Sequence, residues 1–195
     1  DIGSLNINGS NKELFDDCLY LGVDLAPGQN VDLISKGHEV ALPDESLDVV
    51  TSAECFEHDQ FYKKTLRNMY RMLKPGGFFA FSCATTGRPE HGTRRTSPQD
   101  APLLQNDDAW GDYYKNLTEE DFREIFDFED EFRSYEFSVN EEAHDIYFWG
   151  FKKGEYIKRD NYSFLRSNQE AAKVNLSLQQ LESILSNVKV QHPVI

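Results

Sequence analysis

Cysteine is scarce in this chain: three residues in 195, Cys18, Cys55 and Cys83, far apart, odd in number and without a Cys-x-x-Cys pair. That excludes a disulfide-stapled scaffold and predicts free thiols in a reducing cytoplasm. Positive charge is short as well. There are 20 Lys and Arg against 34 Asp and Glu, a formal net charge of -14. Such a field repels phosphate backbones and anionic lipid, so neither nucleic acid nor a membrane surface is an expected partner. No apolar run approaches the roughly 18 residues of a membrane span. The opening Asp1-Ile2-Gly3-Ser4 has neither the basic nor the apolar stretch of a signal peptide. Aromatic residues, by contrast, are plentiful. With 14 Phe and 9 Tyr the chain can build a substantial core and is not disordered as a whole.

Short apolar runs alternate with helical patterns. Leu19–Val23, Val31–Ile34, Leu47–Ser52 and Phe78–Cys83 read as strands covered on both faces. Tyr62, Leu66, Met69, Tyr70 and Leu73 recur at helical spacing, with Lys63, Lys64, Arg67 and Arg71 off the stripe. Lys74-Pro75-Gly76-Gly77 then stops that helix. Residues 84–117 read as a long polar loop, and Thr118 as the cap of a helix opening on Glu119, Glu120 and Asp121. Phe132–Val139 and Ile146–Phe151 read as two strands joined by six residues, hence antiparallel. Residues 118–145 hold twelve acids and two arginines, which read as a solvated face. The expected fold is a Rossmann-like three-layer α/β sheet, mostly parallel, with one antiparallel edge strand. Asp1-Ile2-Gly3 reads as the end of a first strand, so the first strand is expected to be truncated. Residues 1–153 form the expected domain. Residues 154–195 form a helical tail whose stripe Leu176, Leu178, Leu181, Ile184, Leu185 and Val188 packs on the domain or pairs two copies.

Two features point to an adenosine-containing ligand. Gly3 permits a tight turn and close ligand approach after the first strand, and Asn6, Asn8 and Gly9 tolerate left-handed backbone. About twenty residues on, Asp24 ends the next strand, where a carboxylate can accept both ribose hydroxyls. A nicotinamide site would need Gly-x-Gly-x-x-Gly, which the loop lacks.

Five blocks in fixed order then make the pattern specific: Asp1-Ile2-Gly3-Ser4, Gly22-Val23-Asp24-Leu25, Ala41 to Val50, Glu54-Cys55-Phe56-Glu57-His58, and Arg71 to Gly77. Together they resemble the class I S-adenosylmethionine-dependent methyltransferases, closest to the type 11 methyltransferase-domain group. The resemblance implies S-adenosylmethionine as cofactor and S-adenosylhomocysteine as product. It implies Gly3, Ser4, Asn6 and Gly9 under the methionine part, Asp24 on the ribose and Leu25 beside the adenine. Gly37 and His38 would lie at the adenine edge, and Ala53 and Glu54 on the sulfonium side. Leu5 and Ile7 depart from the small residues usual in the first loop.

The implied activity is methyl transfer to an oxygen or nitrogen of a small-molecule acceptor, in the cytoplasm. The acceptor is expected over the loop after Cys83. Arg88, Arg94 and Arg95 make residues 84–98 a positive island suited to a sugar or anionic acceptor. Arg88, His91, Tyr113 and Tyr114 are the expected acceptor contacts, and His91 is the candidate general base. His38, His58, His91, His144 and His192 fall at no ligand spacing, so no metal is expected. The competing reading is a catalytically inactive methyltransferase-fold protein that binds a nucleoside or a partner, which Leu5 and Ile7 favour and Asp24 and Glu54 oppose.

Overall fold

The computed structural model describes residues 1–156, apart from 16 and 17. Six strands and three helices follow in order: β1 (Val23–Asp24), β2 (Leu33–Ile34), β3 (Leu47–Ala53), α1 (Tyr62–Met72), β4 (Leu73–Ala84), α2 (Glu119–Arg123), α3 (Phe128–Glu131), β5 (Phe132–Asn140) and β6 (Asp145–Lys152). The pair β1–β2 is parallel, and the larger sheet runs β3-β4-β6-β5. Ile2 bridges in parallel to both Val23 and Ser52, so it holds the place of a strand between β1 and β3. The amphipathic stripe 176–188 lies outside the described residues.

The aromatic strands explain the sheet. Phe79, Phe81 and Cys83 alternate inward along β4, and the parallel register sets Val50 beside Phe79 and Ser52 beside Phe81. β6 runs antiparallel to β4, with Phe81 opposite Phe148 at a ring-centroid distance of 5.0 Å. Phe122 of α2 closes on Phe81 at 4.7 Å, and Phe128 of α3 on Phe148 at 5.4 Å. Tyr70 of α1 meets Phe126 and Phe132 at 5.4 Å each. These contacts place all three helices on one face. The other face carries the short turn Asn11–Leu14, where Asn11 Nδ2 donates to Thr51 Oγ1. It leaves Tyr147 and Trp149 partly exposed, so the described residues supply two of the three expected layers.

Two expectations are refined. The reversed strand is β6, and it sits one place in from the edge, with β5 outside it and antiparallel to it. The Lys-Pro-Gly-Gly block does end α1, because a residue before proline avoids the helical region. It is not a free loop, however. Leu73 already pairs with Leu47, and the register shifts before Val49 meets Phe78, so residues 74–77 bulge out of β4. Buried Lys74 anchors the bulge with its Nζ 2.7 Å from Asp48 Oδ1.

Candidate active site

One cavity of about 890 Å³ opens where β1, Ile2 and β3 end. That volume suits a nucleoside-sized ligand together with a second small molecule. Its floor is the loop after Ile2. Gly3 adopts φ +74, and a Cβ there would sit 2.7 Å from Cys55 Cβ and Sγ, so only glycine fits. Ser4 Oγ donates to Asn30 O at 3.0 Å, and Asn6 Oδ1 accepts from Gly9 N at 3.1 Å.

Asp24 ties the loop to β1. Its Oδ2 accepts from Leu5 N at 2.9 Å and its Oδ1 from Leu25 N at 2.8 Å. Burial raises its carboxyl above the ordinary range, and these two amides pull the other way. Leu5, the departure from a small residue, turns its side chain onto Gly28, where a Cβ would come within 2.2 Å of Leu5 Cδ1. Glycine at 28 makes room for it, and the Leu5 amide stays on Asp24.

Glu54 closes the end of β3 in the left-handed region, φ +49, an uncommon conformation that clusters at functional sites. Ser82 Oγ donates to its Oε1 at 2.7 Å. Burial raises its carboxyl; Ser82 opposes this, Asp145 adds to it, and Arg88 and His91 oppose it.

The roof is the loop after β4, held by its own polar contacts. Thr85 Oγ1 donates to Leu117 O at 2.6 Å, and Asn116 Nδ2 to Arg88 O at 2.9 Å. Its positive island is neutralised internally. Arg88 pairs with Asp145 at 2.7 Å, Arg94 with Asp108 at 3.0 Å, and Arg95 with Glu90 at 2.9 Å. Seven acidic residues line the cavity against Arg88 alone among Lys and Arg. This lining suits a cationic ligand and corrects the expectation of an anion-binding island.

Residues 12–81 match the family model described as a methyltransferase domain. Over these residues, about a third of the chain, the sequence is similar to that methyltransferase family. No curated protein matches the sequence. Among solved structures, the chain is 14% identical to a Thermotoga maritima protein described as a possible histamine N-methyltransferase, over 68% of this chain and 72% of that one, at a TM-score of 0.45. It is also 14% identical to the YcgJ protein of Bacillus subtilis, over 69% and 82%, at a TM-score of 0.45. It is 15% identical to a Burkholderia thailandensis 1,6-didemethyltoxoflavin-N1-methyltransferase solved with bound S-adenosylhomocysteine, over 69% of this chain and 61% of that one, at a TM-score of 0.46.

S-adenosylmethionine is the cofactor that the similarity to this family points to. The cavity fits it on three observations: the glycine-only turn at Gly3, a carboxylate at the end of β1, and an acidic lining for a sulfonium. Of the expected cofactor residues, Gly3, Ser4, Gly9, Asp24, Leu25, Gly37, Ala53 and Glu54 line the cavity. Asn6 instead supports the loop from behind through its bond to Gly9. His38 packs between Phe61, at 4.6 Å, and Trp110, at 6.4 Å, outside the lining. Arg88 and His91 line the cavity, whereas Tyr113 and Tyr114 do not. Tyr114 lies edge-on to His58 and His91 and donates its hydroxyl to Pro89 O.

Sequence reasoning did not anticipate Leu103 and Leu104 in the wall, or buried Glu57 behind it. No spacing could have linked Glu57 and His58 to His91. The fold brings ligand-type atoms of all three within 4.8 Å of one another, although these histidines fall at no ligand spacing in the sequence.

Proposed function

We propose that this chain transfers the methyl group of S-adenosylmethionine to an oxygen or nitrogen of a small-molecule acceptor held under the loop 88–104. The observation that supports this most is the shared cavity: the residues suited to the cofactor and Arg88 and His91 line the same space. When bound, the cofactor supplies an electrophilic methyl on a sulfonium, displaced in line with the C–S electron pair leaving on sulfur.

The protein's work is then alignment, water exclusion and removal of one proton. Asp24, with both oxygens already accepting one backbone amide, keeps lone pairs for the ribose hydroxyls. Glu54 and the other acidic lining residues favour the cationic sulfonium. Leu103, Leu104 and Trp110 shield the far wall from water. Pro89 O lies 3.1 Å from His91 Nδ1 and accepts a hydrogen bond from it, which leaves Nε2 as the group to receive the acceptor's proton. Since the arginines are paired, a neutral hydroxylated acceptor such as a sugar suits the site better than an anion.

Thermal unfolding with S-adenosylhomocysteine, followed by transfer of labelled methyl into a metabolite extract, tests this reading. A raised Tm and a labelled product are expected. A raised Tm without any product would favour the non-catalytic nucleoside-binding protein, and an unchanged Tm would reject both readings.

A further inference from the structure

Behind the cavity wall, where β3 turns toward α1, lies a group of side chains that methyl transfer itself does not require. Glu57 is fully buried, and neither of its carboxylate oxygens makes a hydrogen bond. An unpartnered buried carboxylate is costly, by several kcal/mol in order of magnitude, unless something satisfies it. His58 follows directly, and its Nδ1 is likewise buried without a partner. His91 reaches the same spot from the loop after β4, its ring 5.1 Å from that of His58 and perpendicular to it.

We infer that Glu57, His58 and His91 form a binding site for one first-row divalent cation of the Zn²⁺ type. Each residue offers one ligand atom, and all three atoms lie within 4.8 Å of one another. Ligands about 2.0–2.2 Å from a tetrahedral ion are roughly 3.4 Å apart, so the three need to close by up to about 1.4 Å. Two imidazoles and one carboxylate are a donor set that borderline cations favour.

The surroundings suit that role. His58 Nδ1 is buried without a hydrogen-bond partner, so an ion could take up its unmet polarity. The contact of His91 Nδ1 with Pro89 O fixes the ring and leaves Nε2 free, as in metal-bound histidines whose other nitrogen is anchored. Three protein ligands leave a fourth position, and His58 and His91 themselves line the cavity, so that position faces it. The ion would there bind an acceptor oxygen. This last role rests on the methyl-transfer reading, whereas cation binding does not, and with the ion bound His91 is a ligand and no longer the proton acceptor.

The test is titration of the chelator-treated full chain with Co²⁺, followed by visible absorption, with Zn²⁺ as competitor. One equivalent of Co²⁺ should give a d–d band that Zn²⁺ abolishes. Glu57→Gln, His58→Ala and His91→Ala should each weaken binding at least tenfold, while His144→Ala leaves it unchanged. Should Glu57→Gln fail to fold, His91→Ala on the loop decides the matter. Absence of the band, or an unaltered band in His58→Ala and His91→Ala, overturns the site. S-adenosylhomocysteine binding to the metal-free chain is measured separately. Binding of nucleoside without Co²⁺ removes the cation site alone, and Co²⁺ without nucleoside removes the methyl-transfer reading alone.

Discussion

The two ends of the sheet are held together by different means. In the β4-β6-β5 half, strands of 12, 8 and 9 residues stack phenylalanines into continuous aromatic packing. In the β1–β2 half, the strands are two residues long, and single polar contacts keep the chain in place. Asp24 holds Leu5, Ser4 holds Asn30, and Ser52 Oγ donates to Ile2 O at 2.8 Å. Packing spread over many contacts gives stability that no one contact controls. A few directed hydrogen bonds give a shaped cavity that one substitution can distort. The aromatic half therefore serves as scaffold, and the lightly strapped half shapes the cavity.

The largest effect should come from opening the aromatic half. Phe148 is buried and touches Phe79, Phe81, Phe128, Phe132 and Phe137. Phe148→Ala should cost about 3–5 kcal/mol of stability, read as a lower urea midpoint with an unchanged slope. At temperatures where the variant is still folded, its affinity for S-adenosylhomocysteine should match that of the parent chain. A large loss of affinity would show that the two halves are not independent.

The reverse is expected at Asp24. Asp24→Ala removes the proposed ribose acceptor and releases the Leu5 and Leu25 amides, so nucleoside binding should weaken by about 1–3 kcal/mol in calorimetry. Asp24→Asn keeps the shape and one accepting oxygen, and should fall between the parent and Asp24→Ala. If Asp24→Ala binds as tightly as the parent, the carboxylate is only a strap for the loop.

This contrast also explains what was legible in the sequence. Runs such as Phe78–Cys83 and the stripe Tyr62 to Leu73 announce themselves because packing repeats with the period of the element. The order of the five blocks pointed to one end of the sheet, where Gly3, Asp24 and Glu54 lie on the cavity. Side-chain direction was not legible. His38 turns into an aromatic sandwich, Asn6 supports the loop from behind, and Tyr113 and Tyr114 stay outside the lining. Charge counting along residues 84–98 left Arg88 and Arg94 unpaired, since their acidic partners, Asp145, Asp108 and Asp112, lie beyond that window. The meeting of His91 with Glu57 and His58 depends on tertiary structure alone.

The smallest effect should come from the cap of α2, which was read directly from Thr118 and the acids after it. Thr118 N donates to Asp121 Oδ2 at 3.0 Å, and Lys115 Nζ lies 2.5 Å from Asp121 Oδ1. Burial by itself would raise the Asp121 carboxyl, but the Lys115 and Thr118 hydrogen bonds outweigh it and hold it below its ordinary value. A carboxyl lowered on folding adds stability above its unfolded pKa, near 3.9, and that stability is lost as pH falls through the folded value. Asp121→Ala should therefore cost about 1 kcal/mol at pH 7. The gap from the parent should narrow steadily below about pH 4, and urea unfolding at a series of pH values would follow it. Because α2 packs Phe122 against Phe81 in the aromatic half, nucleoside affinity should not change. A gap that stays constant down to pH 2 would mean that Asp121 acts through packing and not through its charge.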